Sequence, residues 1–335
     1  MDITANHSIN IVKVRTDTFT DSSSVKMNEV DINEVDIKEM APQTGTMPNA
    51  CNSPIGVFDS GIGGLSVYLH LARQLPAERY VYYADTLNVP YGNRDSEDIE
   101  ALTLTAVGWL YQQGCKLIVM ACNSASAYAL EKARRCYPQL LIVGLVPALK
   151  PAVLASKSGL VAVLATKATL NGSLLNDVID NVAKPNHTEV VKYFDPQLVP
   201  WVEAGMPEQD ATAERLRQQL QAFASDGVDQ LVLGCTHYPF FKPFLLDEIA
   251  RQQLSMQVVD SGQAIAERVK QLLAMNQLSA CANNEAEDNH SDINEKTNVD
   301  IKYPLTFYAT RYDDKLSVLI QRLLGEETIL QYYVK

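Results

Sequence analysis

The sequence predicts an α/β fold built on mostly parallel sheets. From residue 54 onward, short apolar runs rich in β-branched residues alternate with segments of helical periodicity, which is the pattern of βα units. The segments KLIVMACNSAS (116–126) and QLVLGCTHYPF (230–240) share one order of features: an apolar strand, a cysteine and small hydrogen-bonding residues. A weaker similarity links FDSGIGG (58–64) with VDSG (259–262). These internal repeats indicate two related halves.

The predicted elements follow one another regularly along the chain. Each predicted strand carries the Val, Ile, Leu or Tyr residues that favour a sheet. The predicted strands are PIGVFDS, RYVYYAD, CKLIVMAC, LLIVGLV, GLVAVLAT, EVVKYFD, DQLVLGC, MQVVDS and PLTFYAT. Helices are expected after most of them, for example LSVYLHLARQL, the segment 96–113, SASAYALEKARRC and SGQAIAERVKQLLAM.

The composition excludes several classes of protein. The 335 residues are 47% apolar and 20% charged, which excludes a fibrous or wholly disordered chain. No apolar run approaches the ~20 residues that span a bilayer, and the first residues lack a signal-peptide core. We therefore expect a cytosolic protein with no membrane partner. The six cysteines include no CxxC pair, so we expect neither a disulfide framework nor a metal site.

Two polar stretches lie outside the predicted α/β units. Residues 1–53 form an N-terminal extension, which we expect to be partly disordered or regulatory, and residues 276–303 form a mobile acidic insertion. Of the net charge of −12, residues 1–50 and residues 276–303 each carry −4. The remainder has no strongly basic face, so nucleic acid is not expected as a primary partner.

Cys122 and Cys235 are the first candidates for chemistry. Each directly follows an apolar strand, and the carboxyl edge of a parallel sheet is where α/β folds bind ligands. Cys122 also precedes a predicted helix, whose N-terminus favours a thiolate, and His237 is a base two residues after Cys235. The alternatives are buried core cysteines, a dithiol redox pair, and a cysteine hydrolase or amidase that uses Cys235 with His237. Two equivalent thiols suit proton removal from one face of a carbon and proton return to the other.

Two loops carry further polar residues. FDSGIGG is a strand, a glycine turn and a helix start, and it places Asp59 and Ser60 above the sheet edge. A nucleotide loop in a non-enzymatic binding module is the alternative, although its GxGxxG pattern is incomplete. The loop ADTLNVPYGNR (84–94) contains Pro90, Tyr91 and Gly92, which are also ordinary turn residues.

In this order and at these separations, DSGIGG, ADTLNVPYGNR, ACNSAS and GCTHYP resemble the motifs of the glutamate racemase family, from about residue 54 to the carboxyl end. The resemblance implies two pseudo-symmetric α/β lobes, each a mostly parallel sheet flanked by helices. From VPALKP and VDSG we place residues 54–148 with 258–335 in the first lobe and residues 149–257 in the second. The implied activity is cofactor-independent interconversion of L- and D-glutamate, which supplies D-glutamate for peptidoglycan. A racemase for aspartate or another acidic amino acid is the alternative.

The resemblance also implies roles for individual residues. Cys122 acts on the D-enantiomer with assistance from Asp59. Cys235 acts on the L-enantiomer with assistance from His237. The positions that match the family's substrate-binding residues are Asp59, Ser60, Pro90, Tyr91, Gly92, Asn123, Ser124, Thr236 and His237.

The chain departs from the family's pattern at two positions. Ser124 stands where many members have threonine, and it keeps the hydroxyl. Val146 stands where many members have a glutamate before a proline, so an auxiliary carboxylate is missing there. This variant and the N-terminal extension resemble the enterobacterial-type subgroup, in which a uridine-linked muramyl precursor activates the enzyme. We expect residues of about 30–55 to help bind that activator.

Overall fold

The computed structural model describes residues 51–280 and 305–324, and residues 330–334 as backbone. Residues 1–50 and 281–304 lie outside the described residues. These two ranges contain most of the predicted extension (1–53) and most of the predicted insertion (276–303). No helix in the described part of the chain is both long enough and apolar enough to cross a membrane.

The described strands form two sheets. In chain order they are β1 (Ile55–Asp59), β2 (Tyr80–Ala84), β3 (Leu117–Met120), β4 (Leu141–Gly144), β5 (Leu160–Ala165), β6 (Glu189–Tyr193), β7 (Gln230–Gly234), β8 (Gln257–Val259), β9 (Leu305–Ala309) and β10 (Leu330–Val334). The first sheet has the order β10-β9-β2-β1-β3-β4 and the second has the order β6-β5-β7-β8. All neighbouring strands are parallel. The predicted α/β class with parallel sheets is confirmed.

Helices connect and cover the strands. They are α1 (Leu65–Gln74), α2 (Ser96–Gln112), α3 (Asn123–Cys136), α4 (Leu149–Ala155), α5 (Lys167–Asn171), α6 (Ser173–Val178), α7 (Leu198–Glu203), α8 (Ala211–Asp226), α9 (Lys242–Arg251), α10 (Gly262–Met275) and α11 (Asp314–Leu324). The predicted strands and the four helices given as examples are confirmed. The sequence does not predict β10, because LQYYV has neither a continuous apolar run nor a clean alternation, and the strand pairs with β9 alone at the sheet edge.

The central strands are apolar because both faces of each sheet are covered. Every residue of β1, β3 and β7 is buried. Parallel strands covered on both faces are typically continuous runs of Val, Ile and Leu, since no face meets water. The polar residues that follow these strands therefore lie at the carboxyl edges of the sheets, where the loops begin.

The loops at these carboxyl edges bring the two sheets together. The Ser66 hydroxyl at the start of α1 donates a hydrogen bond of 2.8 Å to the carbonyl of Thr236, which follows β7. A Cβ atom on Gly63 would lie 2.3 Å from Nδ1 of His237, so only glycine allows this approach. The predicted lobe boundaries stay a prediction, and β8 at the proposed second crossing lies in the second sheet.

A buried ion pair holds the opposite edge of the first sheet. Lys116, just before β3, lies 2.5 Å from a carboxylate oxygen of Glu78, just before β2, and their side chains are only 1% and 3% exposed. Lys116 also donates to the carbonyl of Cys51, and Glu78 accepts from the backbone N–H of Ala280. The pair is hydrogen-bonded further, as a buried pair requires, and it anchors both ends of the described segment 51–280.

Candidate active site

The carboxyl edges of the two sheets enclose a cavity of about 290 Å³. Loops after β1, β2 and β3 line it from the first sheet, and loops after β5, β6 and β7 line it from the second. Of the residues that the sequence singles out, the structure brings together on its wall Ser60, Pro90, Tyr91, Gly92, Cys122, Asn123, Ser124, Cys235, Thr236 and His237. Asp59 is not on the cavity wall but lies directly behind Ser60 at the end of β1.

Cys122 caps the N-terminus of α3. Its sulfur accepts a hydrogen bond of 3.4 Å from the backbone N–H of Ala125 and shares one of 3.4 Å with the Ser60 hydroxyl. Burial, and then the nearby carboxylate of Asp59, raise the pKa of the Cys122 thiol to about 12. The resting state of Cys122 is therefore the thiol, which holds a proton to donate.

Asp59 is almost fully buried and organises the glycine turn that follows it. Its Oδ2 atom accepts backbone hydrogen bonds of 3.1 Å from Gly61 and from Gly64 and a longer one from the Tyr82 hydroxyl. Burial raises the pKa of Asp59, although the positive charge of His237 and these hydrogen bonds oppose the shift. The Oδ1 atom has no hydrogen-bond partner among the described residues, so the site keeps a buried acceptor near Cys122.

His237 lies between a thiol and a carboxylate. The Cys235 sulfur acts on its charge from one side, and on the other side its Nε2 atom lies 3.2 Å from Oε1 of Glu203. Burial alone would lower the pKa of His237, but the neighbouring Cys235 and Glu203 side chains outweigh burial and raise the pKa to about 10. At neutral pH this side chain is an imidazolium. The environments of the two cysteines therefore differ in charge.

Glu203 is a site residue that sequence reasoning misses. It ends α7, 34 residues before His237, in a segment without a motif, so no sequence signal points to it. Glu203 lines the cavity, whereas Val146 is not among its lining residues. The Val146 carbonyl accepts a hydrogen bond from the Ser261 hydroxyl.

The loop after β2 presents Tyr91 to the cavity, but the phenol hydroxyl is already engaged. That hydroxyl donates a hydrogen bond of 2.6 Å to Asp85, which also accepts from the Asn88 amide and the Thr310 hydroxyl. The loop includes a cis peptide bond between Val89 and Pro90. Tyr91 is therefore available to a ligand through its ring and backbone. Asp85 is a further buried carboxylate, which the sequence does not indicate.

Comparisons with known proteins by sequence and by structure both find racemases. The model of the Asp/Glu/Hydantoin racemase family matches residues 55–269. A curated glutamate racemase of Deinococcus radiodurans is 49% identical over 221 residues, which are 66% of this chain and 75% of the relative. The crystal structure of glutamate racemase from Francisella tularensis in complex with D-glutamate is similar with a TM-score of 0.68 and 26% identity, covering 85% of this chain and 97% of that one. The crystal structure of Escherichia coli glutamate racemase in complex with L-glutamate and the activator UDP-MurNAc-ala is similar with a TM-score of 0.65 and 27% identity, covering 84% of this chain and 98% of that one.

Substitution of Glu203 by Gln is expected to weaken the charged state of His237. Because the folded-state pKa of His237 is raised, its stabilising contribution is complete below the unfolded value of about 6.5 and is lost as the pH rises through about 10. The free energies of unfolding of the wild type and Glu203→Gln should therefore differ most at about pH 6 and converge as the pH rises to about 10. Urea unfolding at several pH values measures this difference.

Glu131→Gln is the control, since Glu131 is an exposed partner of Arg134. Its difference from the wild type should not change over the same range of pH. A difference between the wild type and Glu203→Gln that is also constant with pH would contradict an imidazolium at His237.

Proposed function

Because the chain belongs to the Asp/Glu/Hydantoin racemase family, we propose that it interconverts L- and D-glutamate by proton transfer between the α-carbon and two cysteine thiols. It is an amino-acid racemase, and its curated relatives are glutamate racemases. The observation that carries the mechanism is that Cys122 and Cys235 follow strands of different sheets and yet line one cavity. A volume of about 290 Å³ suits a small amino acid.

In the direction from L- to D-glutamate, Cys235 is the base. Its thiolate, paired with the imidazolium of His237, removes the α-proton and becomes a thiol. Cys122 then donates its thiol proton to the opposite face of the carbanion and becomes a thiolate. The two sulfurs have exchanged roles when D-glutamate leaves, and proton exchange with solvent restores the starting state. The reverse reaction uses Cys122 as the base and Cys235 as the acid.

The remaining polar groups would stabilise the substrate and the carbanion. An α-proton is far less acidic than a thiol, so charge that develops on the α-carboxylate needs positioned donors in a site that excludes water. Asn123, Ser124 and Thr236 are buried at the cavity and carry such donors. Ser60 and the backbone of Tyr91 and Gly92 would bind the other polar groups of glutamate, and Asp59 would assist proton transfer at Cys122.

The proposed reaction would have a role in the cell, and it fits the cavity better than hydrolysis does. The product D-glutamate would enter peptidoglycan synthesis in the cytosol. A cysteine hydrolase based on Cys235 and His237 would have no task for a second thiol, and Cys122 is on the wall of the same cavity. No cofactor enters the proposed reaction, since both proton carriers are side chains of the chain itself.

Racemisation in deuterated water tests the reaction and its substrate together. The full chain should bring the circular dichroism of L-glutamate to zero and turn over L-aspartate far more slowly. Early D-glutamate should carry deuterium at the α-carbon while unreacted L-glutamate stays protonated, because the donating thiol carries a solvent-derived proton; mass spectrometry measures both. Faster turnover of aspartate would overturn the substrate, and early product that retains its own hydrogen would overturn the two-base mechanism.

Single cysteine variants test which thiol serves which face. Cys122→Ser and Cys235→Ser should each reduce kcat/KM for racemisation by about 10²–10⁴-fold. The loss should be equal in both directions, since the equilibrium constant of a racemisation is one. With a glutamate analogue that has a leaving group on the β-carbon, only one base is needed for elimination. Cys122→Ser should therefore keep elimination from the L-enantiomer and lose it from the D-enantiomer, and Cys235→Ser should do the opposite.

The control for these variants is Cys136→Ser, at the far end of α3 and away from the cavity. It should racemise glutamate like the wild type. Racemisation by Cys122→Ser at nearly the wild-type rate, or elimination from both enantiomers by either variant, would be inconsistent with the assignment of the faces.

We also propose that a uridine-linked muramyl precursor activates the enzyme. The similar structure from Escherichia coli is a complex with UDP-MurNAc-ala, and this chain combines an N-terminal extension with Val146 at the position discussed above. Deleting residues 1–45 should abolish the increase in kcat/KM caused by the precursor, and calorimetry should show weaker binding. An unchanged basal rate together with an unchanged response to the precursor would exclude a role for the extension.

A further inference from the structure

A chain of three hydroxyl groups crosses from the second sheet to the first at the wall of the cavity. The Oγ1 atoms of Thr169 and Thr166 are 2.9 Å apart, and Oγ1 of Thr166 is 3.0 Å from Oγ of Ser124. Thr166 directly follows β5, whereas Ser124 lies in the first turn of α3. Both Thr166 and Ser124 line the cavity, and the sequence analysis does not single out Thr166.

The direction of these hydrogen bonds follows from which oxygen atoms still have an acceptor for their proton. The Thr169 side chain is 2% exposed, and its hydroxyl has no partner among the described residues other than Thr166. A buried hydroxyl proton needs an acceptor, so Thr169 donates to Thr166. Oγ1 of Thr166 also accepts the backbone N–H of Thr169 at 3.3 Å, where it caps α5. Both of its lone pairs are then occupied.

The single proton of Thr166 is consequently left for Ser124. If Ser124 instead donated to Thr166, and Thr166 to Thr169, the proton of the buried Thr169 hydroxyl would have no acceptor. In the favoured arrangement Ser124 accepts from Thr166 and keeps its proton for the cavity. A serine oriented in this way is a donor, which is what a carboxylate requires.

We propose that Thr166 is a positioning residue, which orients the Ser124 hydroxyl as a donor to a carboxylate of the substrate. The inference rests on the proposed racemisation of glutamate and adds a residue of the second sheet to the recognition of that substrate. Thr166 also packs against Gly92, in the loop after β2 of the first sheet. A Cβ atom added to Gly92 would lie only 3.1 Å from the Cβ atom of Thr166. The orientation of Ser124 therefore exists only while the two sheets are held together.

Thr166→Val removes the relay and nearly preserves the shape of the side chain. We expect the KM for glutamate to rise about five- to tenfold, with a change in kcat below about threefold. A carboxylate is already charged in the ground state, so one weakened donor destabilises the ground and transition states by similar amounts. Thr166→Ser keeps the hydroxyl and should restore the wild-type KM. Thr169→Val removes only the first donor and keeps the helix cap, so its KM should lie between those of the wild type and Thr166→Val.

A double-mutant cycle with Ser124→Ala separates this role from mere capping of α5. If Thr166 acts through Ser124, adding Thr166→Val to Ser124→Ala should change KM less than about twofold. A structural role would raise KM by the same factor in both backgrounds and would overturn the proposal, as would an unchanged KM in Thr166→Val.

Two controls accompany the cycle. Thr105→Val makes the same chemical change on the exposed face of α2, where the hydroxyl bonds to the Ala101 carbonyl, and it should leave KM unchanged. Thermal unfolding of each variant shows whether the protein is folded. If Thr166→Val does not fold, the KM of Thr169→Val tests the proposal in its place. Turnover of glutamate by the wild type tests the proposed function separately, so that failure of the relay alone leaves that function standing.

Discussion

The close approach of Gly63 to the loop that carries Cys235 is the constraint on which the candidate site depends. Cys122 and Cys235 belong to different sheets, so they share a cavity only if the carboxyl edges of both sheets meet. Any side chain at residue 63 would overlap the imidazole of His237. The Ser66 hydroxyl, bonded to the Thr236 carbonyl, holds the same contact through the backbone. A glycine turn, for which an incomplete nucleotide-loop pattern was the alternative in the sequence, thus packs between the two sheets.

The same contact creates an asymmetric electrostatic environment across the cavity. Cys122 lies near the buried carboxyl group of Asp59, which together with burial keeps its proton in place. Cys235 lies beside an imidazolium that Glu203 helps to keep charged. The surroundings of the two sulfurs therefore differ in charge.

The two edges of the first sheet serve different purposes. At the amino edge, Lys116 and Glu78 form a buried pair whose remaining bonds go to the backbone, which fixes the ends of the described segment. At the carboxyl edge, polar side chains such as Asp59 and Asn123 each keep a buried oxygen without a partner among the described residues. Satisfied polar groups stabilise a fold, whereas unsatisfied ones reduce stability and provide positions for a ligand. The carboxyl edge is the edge that lines the cavity.

The sequence by itself determined the α/β class, nearly every strand, and both cysteines at strand ends, because apolar runs and the residues directly after them are local features. It could not place Glu203 or Thr166, since neither lies in a motif and each acquires its partner only when distant segments pack. It also named Tyr91 without showing that its hydroxyl is engaged by Asp85. Which groups are charged, which hydroxyl donates and which thiol keeps its proton depend on burial and on neighbours from other elements. Only the tertiary structure decides these properties, because they arise where the two sheets meet.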